Sequence, residues 1–366
     1  MCTPESLRRI DTATAGETDA FEQRLLGTLN ESALALMLSI GHRCGLLATM
    51  VDGKWRDCDD LADEAGLNAR YVREWLGAMT SAGVVELDYD ERRYRLPAGY
   101  ANLLSDSGEA NLAVYAQLVP QLALVEDDIL ECFHNGGGVD YSRYTRFHDF
   151  MAEDSSQTVL AALFDHILPL VPGLADRLEA GIRVLDAGCG RGLALMRLAA
   201  HFPASRFTGY DLSGDAIEWA NHEARSRGLD NVRFEARDLS DFDETAPETA
   251  FDLVTTFDAI HDQAWPLRVL SGIRRSLAPD GVYLAQDIRA SGSHADDRDH
   301  PLGTFLYAVS TMHCMTVSLA QGGEGLGTMW GREKALEYMR RAGFGHVEVH
   351  ELAHDIQNDY YVCRVA

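Results

Sequence analysis

Two periodicities divide this chain near residue 181. Upstream, apolar residues recur at intervals of three and four, most clearly in FEQRLLGTLNESALALMLSIGHRCGLLATM, residues 21–50. That spacing lines one face of a helix, so one or two helices with a wide buried stripe are predicted there. The polar residues before them, 1 to about 18, look loosely ordered. Residues 57–97 read as a short helix (Leu61 to Ala65), a turn at Gly66-Leu67-Asn68, a second helix (Ala69 to Ala82) and a hairpin from Val84 to Leu96 turning at Asp88-Tyr89-Asp90-Glu91. This is the order of a winged helix-turn-helix. Residues 98–180 are mostly helical. Their one break, HNGGGVDYSRY, has in Gly136, Gly137 and Gly138 the backbone freedom of a mobile linker or the root of a lid.

Downstream the texture changes. The short apolar runs IRVLDAG, SRFTGYDL, VRFEARDL, FDLVTTFDAI and VYLAQDI alternate with helical segments such as RGLALMRLAAHF, GDAIEWANHEARSRG and PLRVLSGIRRSLAPDG. Strands alternating with helices predict an α/β architecture with a parallel, doubly wound sheet and ligands at the carboxyl ends of its strands. An insertion, 289–331, carries the helix GTFLYAVSTMHCMTVSLA, with Leu306, Val309, His313 and Val317 on one stripe. GGEGLGTMWG follows it and reads as a flexible pocket rim. Three regions are expected: 1–98, 99–180 and 181–366.

Composition narrows the class. With 366 residues, 46% of them hydrophobic, the chain can bury the cores of two domains, which excludes a mainly disordered protein. No run of 18 apolar residues could span a bilayer and the first residues lack a signal peptide's apolar core, so a cytoplasmic protein with no membrane association is expected. Seven cysteines without a CxxC pair or metal-type spacing predict free thiols and no metal site. The formal net charge is −25, and residues 1–97 hold 11 Lys and Arg against 17 Asp and Glu, a net −6. That is the wrong sign for a phosphate-contacting module, so the helix-turn-helix is expected to serve dimerisation and no nucleic-acid partner is expected.

The strongest chemical signal is VLDAGCGRG, residues 184–192. A strand leads to Asp186, and Gly188, Gly190 and Gly192 make a turn that lets a ligand approach the backbone. Alone, the triplet could equally hold a dinucleotide. Asp211 ends the second strand, where a carboxylate can take both ribose hydroxyls, with Leu212 beside it as an apolar edge. Asp238 ends the third and can accept from an adenine amino group, with Leu239 nearby, and Phe257 ends the fourth.

This ordered set resembles the class I S-adenosylmethionine-dependent methyltransferases. The resemblance implies a Rossmann-like catalytic domain with a mixed seven-stranded sheet and helices on both faces, closed by an antiparallel hairpin in GFGHVEVHELAHDIQNDYYVCRV. It also implies S-adenosylmethionine as cofactor, with Asp186, Gly188, Cys189 and Gly190 toward its methionine part. AIHDQAWPLRVLSGIRRSLAPDGVYLAQD is similar to the His-Asp segment of small-molecule O-methyltransferases that carry an N-terminal winged-helix dimerisation domain. In those enzymes the histidine matching His261 is the general base, although their usual tryptophan after His-Asp is Gln263 here. FDAIHDQ and TMHCMTVSLAQGGEGLGTMWG are similar to bacterial winged-helix methyltransferases often labelled transcriptional regulators.

Methyl transfer needs an acceptor held in line, water excluded and, for a hydroxyl or thiol, a base. His261 with Asp262 is the candidate catalytic pair. The competing account has His261 bonded to backbone and Asp262 capping the helix that opens at Pro266. Tyr141, Tyr144, Phe150, Met151, Tyr307 and His313 are candidate acceptor-site residues, with interdomain packing the alternative for the aromatics and a core role for His313. A sulfur or oxygen acceptor is expected, a thiol favoured because it needs only a modest base. The rival functions are a DNA-binding regulator that senses the cofactor or a small ligand, and a cofactor-binding scaffold without chemistry.

Overall fold

The computed structural model describes residues 15–105 and 111–365. The chain divides into two compact units between Val119 and Pro120.

In the first unit one long helix, Ala15–Arg43, takes up most of the 21–50 pattern. Residues 15–18 are therefore helical, and the rest of the stretch expected to be loose, 1–14, lies outside the described residues. Near its end the helix meets Trp75 closely. A Cβ on Gly41 would lie 2.5 Å from the indole, whose Nε1 donates to the Met37 carbonyl at 2.8 Å. The first half does not bury the predicted stripe: Phe21, Leu25, Leu26 and Leu29 are 57, 51, 50 and 69% exposed. The Cys58–Ala65 and Ala69–Ser81 helices start where Asp57 and Asn68 accept from the backbone N–H of Asp60 and Arg70. β1 (Glu86–Asp88) and β2 (Arg93–Arg95) pair antiparallel as the wing. Leu61, Val72, Leu76, Met79 and Leu96 fill the core of this unit, so the winged-helix order holds.

The second unit is built on a seven-stranded sheet, order β5-β4-β3-β6-β7-β9-β8. β3 (Arg183–Ala187), β4 (Arg206–Asp211), β5 (Val232–Ala236), β6 (Phe251–Phe257) and β7 (Leu277–Ile288) are parallel. β9 (Asn358–Arg364) runs antiparallel between β7 and β8 (His346–His350), the closing hairpin the sequence predicted. Consecutive strand residues feed opposite cores: Val184, Leu253 and Leu284 on one face, Leu185, Val254 and Tyr283 on the other. Burial on both faces explains why these strands read as continuous apolar runs. One boundary moves. The helix from Pro266 ends at Ser276 and β7 starts at Leu277, so the last five residues of the segment read as helix lie in the strand, because Pro279 disfavours helical backbone at the residue before it.

The glycine-rich break is not a free linker. A Cβ on Gly138 would sit 2.0 Å from the Thr316 carbonyl, and the Val139 N–H donates to Thr316 Oγ1 at 2.9 Å, so the break is docked on the 315–320 helix. GGEGLGTMWG likewise packs against a neighbour. The Gly327 N–H donates to the His261 carbonyl at 3.1 Å and the Glu324 N–H to the Ala264 carbonyl at 2.9 Å, so this segment buttresses the loop after β6. Among the described residues no helix is long and apolar enough to cross a membrane. The six described cysteines are free thiols, and Cys2 lies outside the described residues.

Candidate active site

The strand order reverses between β3 and β6, and at their carboxyl ends lies a cavity of about 630 Å³. A switch point of this kind opens a crevice because the loops leaving the two strands diverge. The volume is in the range that takes a drug-sized ligand.

One wall is the loop after β3. Gly188, Gly190 and Gly192 have φ of 82°, 51° and 68°, the left-handed region. A Cβ on Gly188 would lie 2.7 Å from that of Ala259, and one on Gly192 2.1 Å from the Phe234 ring, so no side chain fits at either position. The Gly188 and Cys189 N–H groups both donate to the Tyr210 carbonyl, at 2.8 and 3.0 Å. Asp211 pins the loop: its Oδ2 accepts from the Gly190 N–H at 2.8 Å while Oδ1 accepts from the Ser213 N–H at 2.9 Å. A carboxylate has about four acceptor positions, so Asp211 keeps capacity for a ligand. Leu212, Asp238, Leu239 and Phe257 also line the cavity. All nine predicted cofactor residues thus surround one space.

Carboxyl groups make the floor. Asp186 is buried at the end of β3, where its Oδ1 accepts from Thr255 Oγ1 at 2.8 Å. Burial pushes its pKa up to about 7, against that hydrogen bond. Asp258 and Asp262, at the end of β6 and in the loop beyond, line the same space. Burial raises them to about 7 and about 6, with the His261 charge opposing in both cases. Asp258 holds φ +54°, unusual for a residue with a side chain but tolerated by Asp. The helix from Pro266 has Trp265 at its N-cap and no side-chain cap, so Asp262 is not spent on capping.

His261 stands behind this floor. It is buried, does not line the cavity, and its Nδ1 lies 2.8 Å from Asp287 Oδ1 and 3.7 Å from Asp258 Oδ1. Burial works against its charge, yet the Asp287 carboxylate overrides this and holds its pKa well above the usual imidazole range, with the Cys314 thiol adding to the effect. Asp287 Oδ1 also accepts from Trp330 Nε1 at 3.1 Å and from the Ile288 N–H at 2.9 Å. The ligating atoms of Asp258, His261 and Asp287 lie within 4.8 Å of one another, close enough to receive a cation. The hydrogen bonds already made there describe an anchored imidazole–carboxylate pair.

The roof comes from residues 140–160. Tyr141, Tyr144 and Met151, from the predicted set, line the cavity, as do Phe147 and His148. Three predicted acceptor residues do not. His313 is buried behind the roof, stacked on Phe147 with centroids 3.6 Å apart, and burial pulls its pKa down to about 3. Phe150 is buried but does not line the cavity. The Tyr307 hydroxyl donates to Asp297 Oδ2 at 3.1 Å, away from the cavity. Asp258, Asp287, Trp330, His148 and Arg191 were not singled out from the sequence. Asp287 and Asp258 end strands as Asp211 does, so the same strand-end rule would have found them.

Comparison with known proteins fits this picture. Residues 178–343 match the model of a methyltransferase domain and residues 32–106 that of an Rv2258c-like winged HTH domain. The ribosomal RNA small subunit methyltransferase G of Cellvibrio japonicus is 30% identical over 176 residues, 47% of this chain and 74% of that protein. A fatty-acid O-methyltransferase of Mycolicibacterium smegmatis is 33% identical over 109 residues, 30% of this chain, and the chain spans only 38% of its length. Human N-acetylserotonin methyltransferase in complex with S-adenosylmethionine superposes with a TM-score of 0.65 at 14% identity, covering 97% of this chain and 99% of that one. An O-methyltransferase family protein from Burkholderia thailandensis gives 0.62 at 16% identity, covering 93% and 97%. The matched domain carries the mixed seven-stranded sheet of a methyltransferase. The chain belongs to the class I S-adenosylmethionine-dependent methyltransferases, with an N-terminal winged-helix domain and S-adenosylmethionine as its cofactor.

Proposed function

We propose that this enzyme methylates the sulfur or oxygen of a small acceptor, a thiol before a hydroxyl, with Asp262 receiving the acceptor's proton and His261 positioning the floor beneath it. The observation that carries this is geometric: Asp262 lines the cavity, whereas His261 stands behind it bonded to Asp287, and burial pushes the Asp262 carboxyl up to about 6. A base of that strength matches a thiol, whose own pKa is about 8.5, far better than an aliphatic hydroxyl. An imidazole buried against Asp287, whose carboxylate favours its charged form, is a poor proton acceptor but a firm support.

The cavity residues divide by chemistry. Asp211 would take the ribose hydroxyls and Asp238 the adenine amino group, with Leu212 and Leu239 on the ring edges. Asp186 and the Gly188–Gly190 turn would face the amino-acid part, and Phe257 the far end. When bound, the cofactor supplies an electrophilic methyl on a sulfonium, displaced in line by the acceptor's lone pair. The carboxyl floor favours that positive charge, and Tyr141, Tyr144 and Met151 exclude water from above. Phe150 and His313 support this roof from behind. The fatty-acid and N-acetylserotonin enzymes among the similar proteins act, by name, on small acceptors, which favours the same for this chain. We further propose a homodimer formed by the apolar face of the first helix and no nucleic-acid partner.

The test is a screen for S-adenosylhomocysteine release with small thiols, hydrosulfide, phenols, alcohols, amines and a short RNA. Turnover highest with thiols supports the proposal. Turnover confined to amines or RNA, or none despite tight cofactor binding, overturns it.

A further inference from the structure

One face of the sheet is left open at its β4–β5 end. The helices Leu193–His201 and Gly214–Ser226 cover Phe207 and Phe234 on one side of these strands. On the other side the connection from β5 to β6 has only the four-residue helix Phe242–Thr245. What it leaves uncovered is a groove of about 600 Å³ between β5 and residues 245–251, with β4 as its floor. Alternation puts Arg206, Thr208 and Tyr210 on this face of β4. The register sets Arg233 of β5 beside Thr208, and Arg183 of β3 beside Arg206. Arg237 lines both this groove and the cofactor cavity.

Two hydroxyls in the floor lack partners. Thr208 is 6% exposed and Tyr210 4%, and among the described residues neither side-chain oxygen makes a hydrogen bond. Both residues line the groove and neither oxygen is sealed off from it, so a ligand there can reach them. Buried hydroxyls are normally paired, which makes this pair a site in want of an acceptor. The arginines supply charge. Arg183 is spent on Asp252, with Nε and Nη2 at 3.1 and 3.2 Å from its oxygens. Arg233 has the exposed Glu235 carboxylate at 3.4 Å, a pair worth little in water. The Arg206 guanidinium has no ion pair or hydrogen bond among the described residues. Arg237 donates to the Thr245 carbonyl at 2.9 Å and lies over the Tyr210 ring at 4.8 Å. Against these four guanidinium groups the lining holds one carboxylate, Asp230. In a chain of net charge −25 the groove is thus locally of the opposite sign, and a concave lining of one sign gathers counter-ions. We propose that it is a second ligand site, for a small phosphorylated anion, with the Thr208 hydroxyl, Arg206 and Arg233 donating to the phosphate. Donors flanking the hydroxyl from two sides suit a tetrahedral dianion, whereas one arginine fork satisfies a planar carboxylate. The acidic remainder of the surface disfavours a polyanion.

The experiment titrates the full chain with glycerol 3-phosphate, with glycerol as the uncharged control and a short RNA alongside. Ionic strength is fixed, and S-adenosylhomocysteine is present so that the cofactor cavity is filled. Three variants are compared. Thr208→Val removes the hydroxyl but keeps the shape and the strand preference. Arg206→Gln acts at the exposed start of β4, where the fold does not depend on it. Arg225→Gln removes an exposed charge from the helix that covers the opposite face. Wild type should bind glycerol 3-phosphate at one site and leave glycerol unbound. Thr208→Val and Arg206→Gln should each weaken that binding about tenfold or more, the effect of one charge-assisted hydrogen bond, while Arg225→Gln binds as wild type does. All three should keep the wild-type affinity for S-adenosylhomocysteine. No binding of glycerol 3-phosphate to wild type, equal weakening by all three substitutions, or binding confined to the RNA overturns the proposal.

Discussion

His261 Nδ1 and Asp287 Oδ1 lie 2.8 Å apart in a buried pair beneath the cavity, each residue 2% exposed. The loop after β6 is thereby tied to the end of β7, and Trp330 ties both to the 322–331 segment through the same oxygen. A charge pair in so dry a place serves by holding the floor still.

Removing one partner leaves the other unpaired. Asp287→Asn should cost about 3 kcal/mol in urea unfolding, the scale of breaking a buried ion pair. The sign of the pH dependence follows from His261, whose pKa is raised by folding. Its contribution is fully present below the unfolded value of about 6.5 and is lost as pH rises through the folded value. The gap between variant and wild type should therefore be widest near pH 6 and narrow in alkali. Equal stabilities at pH 6 would show that the pair is unimportant to the fold.

Asp262→Asn separates the base from its support. The variant should bind S-adenosylhomocysteine, whose sulfur carries no charge, as wild type does and lose about 10²–10⁴ in kcat at pH 7, the range for a general base. With a thiol acceptor the loss should shrink toward pH 9, where the thiolate forms unaided. A deficit that stays constant from pH 6.5 to 9 would assign Asp262 a positioning role instead.

The three floor carboxyls predict linked protons. Asp186, Asp258 and Asp262 are raised above their ordinary value by burial. Folding thus favours their protonated forms, and the stability they contribute is present below about pH 4 and is lost as pH rises through about 6 to 7. A sulfonium in the cavity favours the ionised forms, so binding S-adenosylmethionine at pH 6.5 should release more protons than binding the uncharged-sulfur product. Calorimetry in buffers of different ionisation enthalpy measures the difference. Equal proton release by the two ligands would contradict a sulfonium seated over these groups.

The sequence made the sheet and one wall of the cavity legible because both obey local rules. Asp186, Asp211 and Asp238 follow apolar runs, and the positive φ of Gly188 and Gly192 is a demand that only glycine meets cheaply. What stayed hidden depends on distance in space. His261 and His313 both look like reactive histidines along the chain, yet packing turns one toward Asp287 and the other under Phe147, and no spacing rule encodes that choice. Arg191 and His148 are 43 positions apart and share a wall only because the roof folds back over β3. The docked glycine break misled for the same reason: Gly138 answers a close approach to Thr316 rather than a need to move.

The first helix carries the remaining expectation, a dimer. Its apolar stripe was predicted to be buried, yet Phe21, Leu25, Leu26 and Leu29 stand 50% or more exposed in the single chain, with Leu36 and Ile40 at 39 and 47%. Six large apolar side chains on one helix form a patch that a monomer of net charge −25 has no reason to keep open. A second copy of the same helix is a self-complementary cover, since a two-fold axis puts each residue's neighbours opposite themselves. Leu25→Glu with Leu29→Glu places like charges across that axis and should convert a dimer to a monomer in sedimentation velocity at micromolar concentration. The catalytic unit's cofactor affinity should be unchanged. Wild type sedimenting as a monomer throughout that range would remove the dimer from the proposal.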